Sequence, residues 1–116
     1  MQLLNSETGL VLTTSDLVQG HSIRDYVGIV AGEALLGTGA ISDFSAKVTD
    51  FFGGRIVNYE NTFYEARGTA IKEMCDRAKQ MACNAIIGVD IDLAVFMDGY
   101  MLVTATGTAV RLKKKN

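Results

Sequence analysis

Two acids interrupt the apolar run "NAIIGVDIDL", Asn84 to Leu93: Asp90 and Asp92 alternate with Val89, Ile91 and Leu93. On an extended chain, residues two apart point to the same side. With Thr104 and Thr106 of "YMLVTATGTAV" nearby, the pair could form an all-oxygen site. Such hard ligands suit a divalent ion such as Mg²⁺ or Ca²⁺, not a heavy metal. The plainer reading is a polar sheet surface facing water or another subunit, and it is the reading we favour.

Soft-metal chemistry would need the thiols. Cys75 and Cys83 lie eight residues apart, about 12 Å of rise along a continuous helix, too far for one coordination sphere or a disulfide. No C-x-x-C motif is present and His21 is the single histidine. Cys75 and Cys83 are therefore disfavoured as metal ligands within one chain, and only symmetry between chains would bring thiols together. Ser22 adjoins His21, but nothing in the spacing proposes a nucleophilic triad, and no catalytic residue is assigned.

Glu33, in "AGEAL", is the acid nearest a strand interior, and if buried it must pair, with Arg55 or Arg24. Gly53-Gly54-Arg55 resembles a phosphate loop only in outline. A following Lys-Ser/Thr is missing and no helix start is read there, so helix termination explains the glycines better. Arg55 remains a candidate intersubunit contact.

The elements that must position these residues follow from periodicity. "LVLTT", Leu10 to Thr14, reads as a short strand, and "YVGIVAGEALLG", from Tyr26, as a longer one whose glycines imply close approach of a neighbour. "SDFSAKVTDFFGG" reads as a short helix with Ser42 as N-cap, Phe44, Val48, Phe51 and Phe52 on one face, and Gly53 as left-handed stop. A longer helix runs from about Tyr59 to Met81, with Phe63, Ala66, Ala70, Met74, Ala78 and Met81 as its apolar stripe. Arg77 and Lys79 near its end suit the helix dipole, and Asn84 is read as capping the exit in the left-handed conformation.

"AIIGVDIDL" and "YMLVTATGTAVRL" are the last two strands, joined through a hairpin turn at Asp98-Gly99. The order strand, strand, helix, helix, strand, strand predicts an α+β domain: an antiparallel sheet with one long helix across one face, in two layers. Ile87, Val89, Ile91 and Leu93 are read onto the helix face with Val103, Ala105 and Ala109. Gly88, Asp90, Asp92, Thr104, Thr106 and Thr108 then share the other face. That face has to be wetted or covered by a second copy of the chain.

Composition agrees with one globular domain spanning 1–116: of 116 residues, 48% are hydrophobic and 21% charged. A net charge of −2 lacks the basic field that nucleic-acid binding needs. Residues 111–116, with Lys113-Lys114-Lys115, read as a solvated basic tail. No apolar stretch reaches the length of a membrane span, and "MQLLNSETG" lacks a signal peptide's basic start and apolar middle, so a cytoplasmic protein with reduced cysteines is expected.

Taken together, "YVGIVAGEALLG", "SDFSAKVTDFFGGR", "NYE", "NAIIGVDID" and "VTATGTAV" resemble the YbjQ family, whose domain is labelled "putative heavy-metal-binding". The resemblance covers about Thr13 to Val110. It implies a dodecin-like β-α-β-β subunit with added short strands, assembling as a homopentamer, with no established reaction. Ser42 stands where the family usually has Arg, and Ala82 where it usually has a helix-ending Gly. The expected function is a homo-oligomeric binding or structural protein. Metal binding, through oxygen ligands or at subunit interfaces, ranks second, and a small hydrolase or lyase using the aspartates ranks third.

Overall fold

The computed structural model describes residues 2–5, 9–36, 55–96 and 100–116, with only the backbone described for 2–5, 55–62 and 96. The predicted short helix from Ser42 and the Asp98-Gly99 turn lie outside the described residues. Within them the chain runs β1 (Gln2–Asn5), β2 (Leu10–Thr13), β3 (His21–Leu36), α1 (Arg55–Gln80), β4 (Ala85–Phe96) and β5 (Tyr100–Lys114). The strands form one sheet in the order β1-β2-β4-β5-β3, and α1 lies across one face. The α+β fold expected from the sequence is present. One pairing differs from an all-antiparallel sheet: β2 runs parallel to β4, held at Val11↔Ala85 and Leu12↔Ile86. β1 has no counterpart in the sequence reading.

The helix stripe buries as its spacing predicts. Ala66, Ala70, Met74 and Ala78 are all buried, joined by Cys75. Alanines at this spacing leave room for close approach, and β3 answers with glycine. A Cβ on Gly32 would sit 1.9 Å from the Ala70 carbonyl oxygen and 2.6 Å from the Met74 nitrogen. Across the sheet, Val30, Val103, Ala105, Ala109 and Ile86 complete the core under α1.

β4 departs from simple alternation at one glycine. Ile87 pairs with Thr108 and Asp90 with Thr106, so Gly88 and Val89 stand opposite Gly107 alone. Gly88 takes φ +62°, the left-handed geometry of a β-bulge built on glycine. The extra residue reverses the facing of what precedes it. Ile86, not Ile87, joins Val89 beneath α1, which corrects the face assigned to Ile87. Ile87 turns to the opposite side and packs with Val18, Ala85, Val110 and Leu112. That face, expected to be polar throughout, is thus covered at one end, where the Gly88 N–H donates to the Ser15 carbonyl.

The helix also ends in a way that spacing did not predict. Cys83 N–H donates to the Ala78 carbonyl and Ala82 N–H to that of Lys79, the paired bonds of a Schellman stop. The left-handed residue is Ala82, at φ 59°, not Asn84. An L-residue with a Cβ is strained there, whereas glycine is not. Ala82→Gly is therefore expected to stabilise the fold by about 0.5–1 kcal/mol, the relief of strain exceeding the added freedom of the unfolded chain. Thermal melts of parent and variant check it. An unchanged or lower midpoint would show that Ala82 is not strained.

At its start, α1 begins at Arg55, four residues before the expected Tyr59. A helix start therefore does follow Gly53-Gly54, contrary to the sequence reading. The Lys-Ser/Thr that a phosphate loop requires is still missing. The lysine run is not a loose tail either, since Lys113 and Lys114 pair with Ser22 and His21 inside the sheet.

Candidate functional site

Beyond the bulge, the register sets polar residues in rows across three strands. Asp90 lies beside Thr106 and Asp92 beside Thr104 on β5. On β3, Ala31 lies beside Thr106 and Glu33 beside Thr104. Asp90, Asp92, Thr104, Thr106 and Glu33 thus share the face away from α1, as the alternation predicted. Both aspartates are exposed. The Asp90 carboxyl hydrogen-bonds Asp92 and repels its charge, and together these raise the Asp92 pKa above its ordinary 3.8.

The sign of the pH effect follows. A carboxyl raised on folding adds stability that is complete below its unfolded value and is lost as pH rises through the folded value. Asp90→Asn removes the like charge. It should flatten that decline just above pH 3.8 and raise stability at neutral pH relative to the parent. Urea midpoints across this range test it, and parallel pH curves for parent and variant would dismiss the coupling.

Glu33 is exposed, so it needs no buried partner. Of its two expected partners, Arg24 instead holds Asp25 at 3.1 Å, while the Arg55 side chain lies outside the described residues. The Glu33 backbone is the part that is held. Its N–H donates to Glu73 Oε1 at 3.2 Å, and Arg77 donates to the neighbouring Ala31 carbonyl. Glu73 and Arg77 are themselves an ion pair at 3.1 Å. Two side chains of α1 therefore clasp the outer edge of β3, capping groups that would otherwise recruit another strand.

On the α1 side of the sheet, a cleft of about 400 Å³ opens between the first half of the helix and the outer half of β4. Phe63, Tyr64, Arg67, Ile91, Asp92 and Leu93 line it. The Arg67 guanidinium stacks over the Tyr64 ring, 4.7 Å from its centre, and supplies a cation at an otherwise apolar wall. Ile91 and Leu93 were expected under the helix, and Val95 continues their row because β4 runs on to Phe96. The bulge does aim them to that side, yet α1 packs on β3 and β5 and leaves Leu93 42% and Val95 67% exposed. Sequence reasoning missed this cleft, because the position of α1 across the sheet is set by the Gly32 contact and not by any motif.

The thiols are buried and not joined to each other. Burial pushes the Cys83 thiol up, partly opposed by the nearby Arg111 guanidinium. His21 Nδ1 lies 3.1 Å from the Gln19 carbonyl in its turn. Among the described residues, no group of three or more His, Cys, Asp and Glu comes together as a metal site would need. No helix among them is long and apolar enough to cross a membrane.

The family model of YbjQ, described as "Putative heavy-metal-binding", matches residues 10–113. A UPF0145 protein of Geobacillus kaustophilus is 48% identical over 104 residues, which span 90% of this chain and 99% of that protein. Another, from Acetivibrio thermocellus, is 50% identical over 103 residues, 87% of this chain and 97% of its own. A solved structure from Pediococcus pentosaceus, of a protein with unknown function in the DUF74 family, superposes with a TM-score of 0.64 at 19% identity, covering 90% of this chain and 99% of that one. That last similarity speaks to the fold alone.

A heavy metal prefers thiolates and imidazoles, converging on one point. Here burial pushes the Cys83 thiol's pKa up, which disfavours the thiolate a metal needs, and among the described residues no group of three or more His, Cys, Asp and Glu forms at either thiol. Within a single chain, the described residues do not fit a heavy metal.

Proposed function

The chain belongs to the YbjQ family, and we propose that it works as a homo-oligomeric binding or structural protein, five copies to the assembly, in the cytoplasm. One observation carries this reading: the apolar stripe Ile91, Leu93 and Val95, with Tyr64 beside it, stands open on a sheet that has, among the described residues, one helix to cover it. Contiguous apolar surface of this kind marks a contact, because exposing it to water is unfavourable at about 25 cal/mol per Å². The count of five is what the family resemblance implies. A reducing compartment suits two thiols that stay unjoined. Light scattering on untagged protein is expected to give five times the 12.5 kDa chain mass. A single-chain mass at micromolar concentration would sink the reading.

A second reading rests on Asp90 and Asp92, two exposed carboxyls on one face of β4 that raise the Asp92 pKa between them, flanked by Thr106 and Thr104. Oxygen donors of this type favour Ca²⁺ or Mg²⁺. If they hold such an ion, Ca²⁺ or Mg²⁺ raises the melting temperature of the parent, and Asp90→Asn with Asp92→Asn abolishes the shift. Equal melting temperatures with and without either ion would remove this reading and leave the first intact.

A further inference from the structure

Two surfaces on this chain are apolar, open and incomplete, and they lie on opposite faces of the sheet at opposite sides. The first is the cleft already described. Its floor strand has a free margin, since β2 pairs with β4 only at Ala85 and Ile86. Beyond the bulge, among the described residues, no strand covers the β4 edge. The second surface is a row on β3: Ile29, Ala31, Glu33 and Leu35, alternate residues facing away from α1. Ile29 is 84% exposed and Leu35 58%, two large aliphatic side chains open on one face of the edge strand β3.

The charges on the two surfaces are complementary. Arg67 stands at the cleft with its guanidinium on an aromatic ring and no carboxylate in ion-pair range among the described residues. Glu33 sits in the middle of the β3 row, between Ile29 and Leu35, and likewise has no ion-pair partner among them. The row thus presents aliphatic groups around Glu33, and the cleft presents them around Arg67, with Asp92 also on its lining; Arg67 and Glu33 carry opposite signs. The Glu73–Arg77 clasp meanwhile blocks edge-to-edge strand addition at Ala31 and Glu33, so β3 offers its face and not its edge.

We propose that the cleft of each chain seats the β3 row of the next copy, with Ile29 and Leu35 against Leu93 and Val95, and Glu33 reaching Arg67. The proposal rests on the homo-oligomeric reading and adds which surfaces meet and in what sense. The two patches differ, so the contact is heterologous, head to tail, and a rotation that closes it makes a ring. Each copy overlaps the next like a shingle, the β4 margin of one lying under the β3 face of its neighbour. Covering both aliphatic sets removes from water what the single chain leaves open, and the ion pair selects one register over slipped ones.

The test exploits the asymmetry. One variant carries Leu93→Asp and Val95→Asp, and the other Ile29→Asp and Leu35→Asp. All four side chains reach solvent in the single chain, Leu93 the least at 42%, so each variant should keep its fold, which far-UV circular dichroism verifies. Each alone is expected to fall from the parent's mass to that of one chain. Mixed in equal amounts, they should form a one-to-one pair and stop there, because the intact cleft of one variant meets the intact row of the other. If the parent itself is a single chain, the homo-oligomeric reading fails, and this proposal with it. If the parent assembles and both variants keep its full size, the oligomer stands but the proposed surfaces are wrong, and the stripe belongs to another cover. If only one variant dissociates, the contact is cleft to cleft or row to row, and if both dissociate without pairing on mixing, cleft and row do not meet; either result overturns the head-to-tail arrangement. Arg67→Glu and Glu33→Arg give an independent measure should any aspartate variant misfold. Each alone should lower the mass, and the two combined in one chain should restore it. Failure of the combined variant to recover would overturn the Glu33–Arg67 pairing.

Discussion

Gly32→Ala is expected to lower the unfolding free energy by about 3 kcal/mol or more, at the upper end of what overpacking a core costs. The added methyl would sit 1.9 Å from the Ala70 carbonyl oxygen and 2.6 Å from the Met74 nitrogen. Non-bonded heavy atoms settle at roughly 3.5–4.0 Å, so α1 would have to retreat by well over 1 Å. Both obstructing atoms are backbone, inside a helix, and no rotamer change relieves them. A helix that retreats also loses the contacts of Met74, which is fully buried against the sheet. The Glu73 and Arg77 clasp on β3 would be stretched with it. Since domains of this size are held by only about 5–15 kcal/mol in total, the variant should unfold at visibly lower urea. A midpoint equal to the parent's would mean that helix and strand do not touch at Gly32, and the cleft geometry would fall with that contact.

Gly32 also marks where the sequence stopped being informative. The stripe of Ala66, Ala70, Met74 and Ala78 is written in helical spacing, and it buries as expected. The polar rows are written in strand spacing, and Asp90, Asp92, Thr104 and Thr106 duly share a face. Both inferences need only local periodicity. Where the helix lies across the sheet is a different kind of fact. It depends on which strand lets a backbone approach, and three glycines in and beside β3 (Gly28, Gly32 and Gly37) are equal candidates on paper. Only the folded chain picks Gly32, and that choice leaves Leu93 and Val95 uncovered. The same limit hid the partners of Phe63, Tyr64 and Arg67. They are ordinary helix residues until β4 is placed beside them.

The bulge was closer to legible. A glycine inside a strand is a known sign of one, and Gly88 sits in the middle of "IIGVD". Strict alternation carried through it places Ile87 beneath α1, whereas the bulge turns it to the opposite face. The aspartates kept their place because they follow the bulge and were paired with the β5 threonines directly. Ala82 shows the reverse case. Its position at the helix end was visible as a departure from the family's glycine, but the departure did not move the stop. The two Schellman bonds hold Ala82 in the left-handed conformation and the helix ends where glycine would have ended it.

Asn84, relieved of the capping role, has a larger one, and its loss is expected to cost about 2 kcal/mol. Its side chain acts as a piece of strand. Oδ1 accepts the Leu112 N–H at 2.7 Å, and Nδ2 donates to the Leu112 carbonyl at 3.2 Å. The Asn84 backbone extends the same junction, donating its N–H to the Val110 carbonyl and accepting the Val11 N–H. One residue thus joins β2, β4 and β5 at the end of the sheet, beside the buried Leu112 and Val110. Asn84→Ala removes both side-chain bonds, each worth about 1 kcal/mol net, and leaves the Leu112 peptide groups to whatever water can reach them. Asn84→Asp separates the two contributions. A carboxylate still accepts from the Leu112 N–H but cannot donate, and it sets a charged oxygen against the Leu112 carbonyl oxygen. At neutral pH the aspartate should therefore lose at least as much stability as the alanine, despite its closer shape. Urea midpoints for both variants decide it. If alanine falls within about 0.5 kcal/mol of the parent, the range of a neutral surface change, the junction is held by its backbone bonds alone.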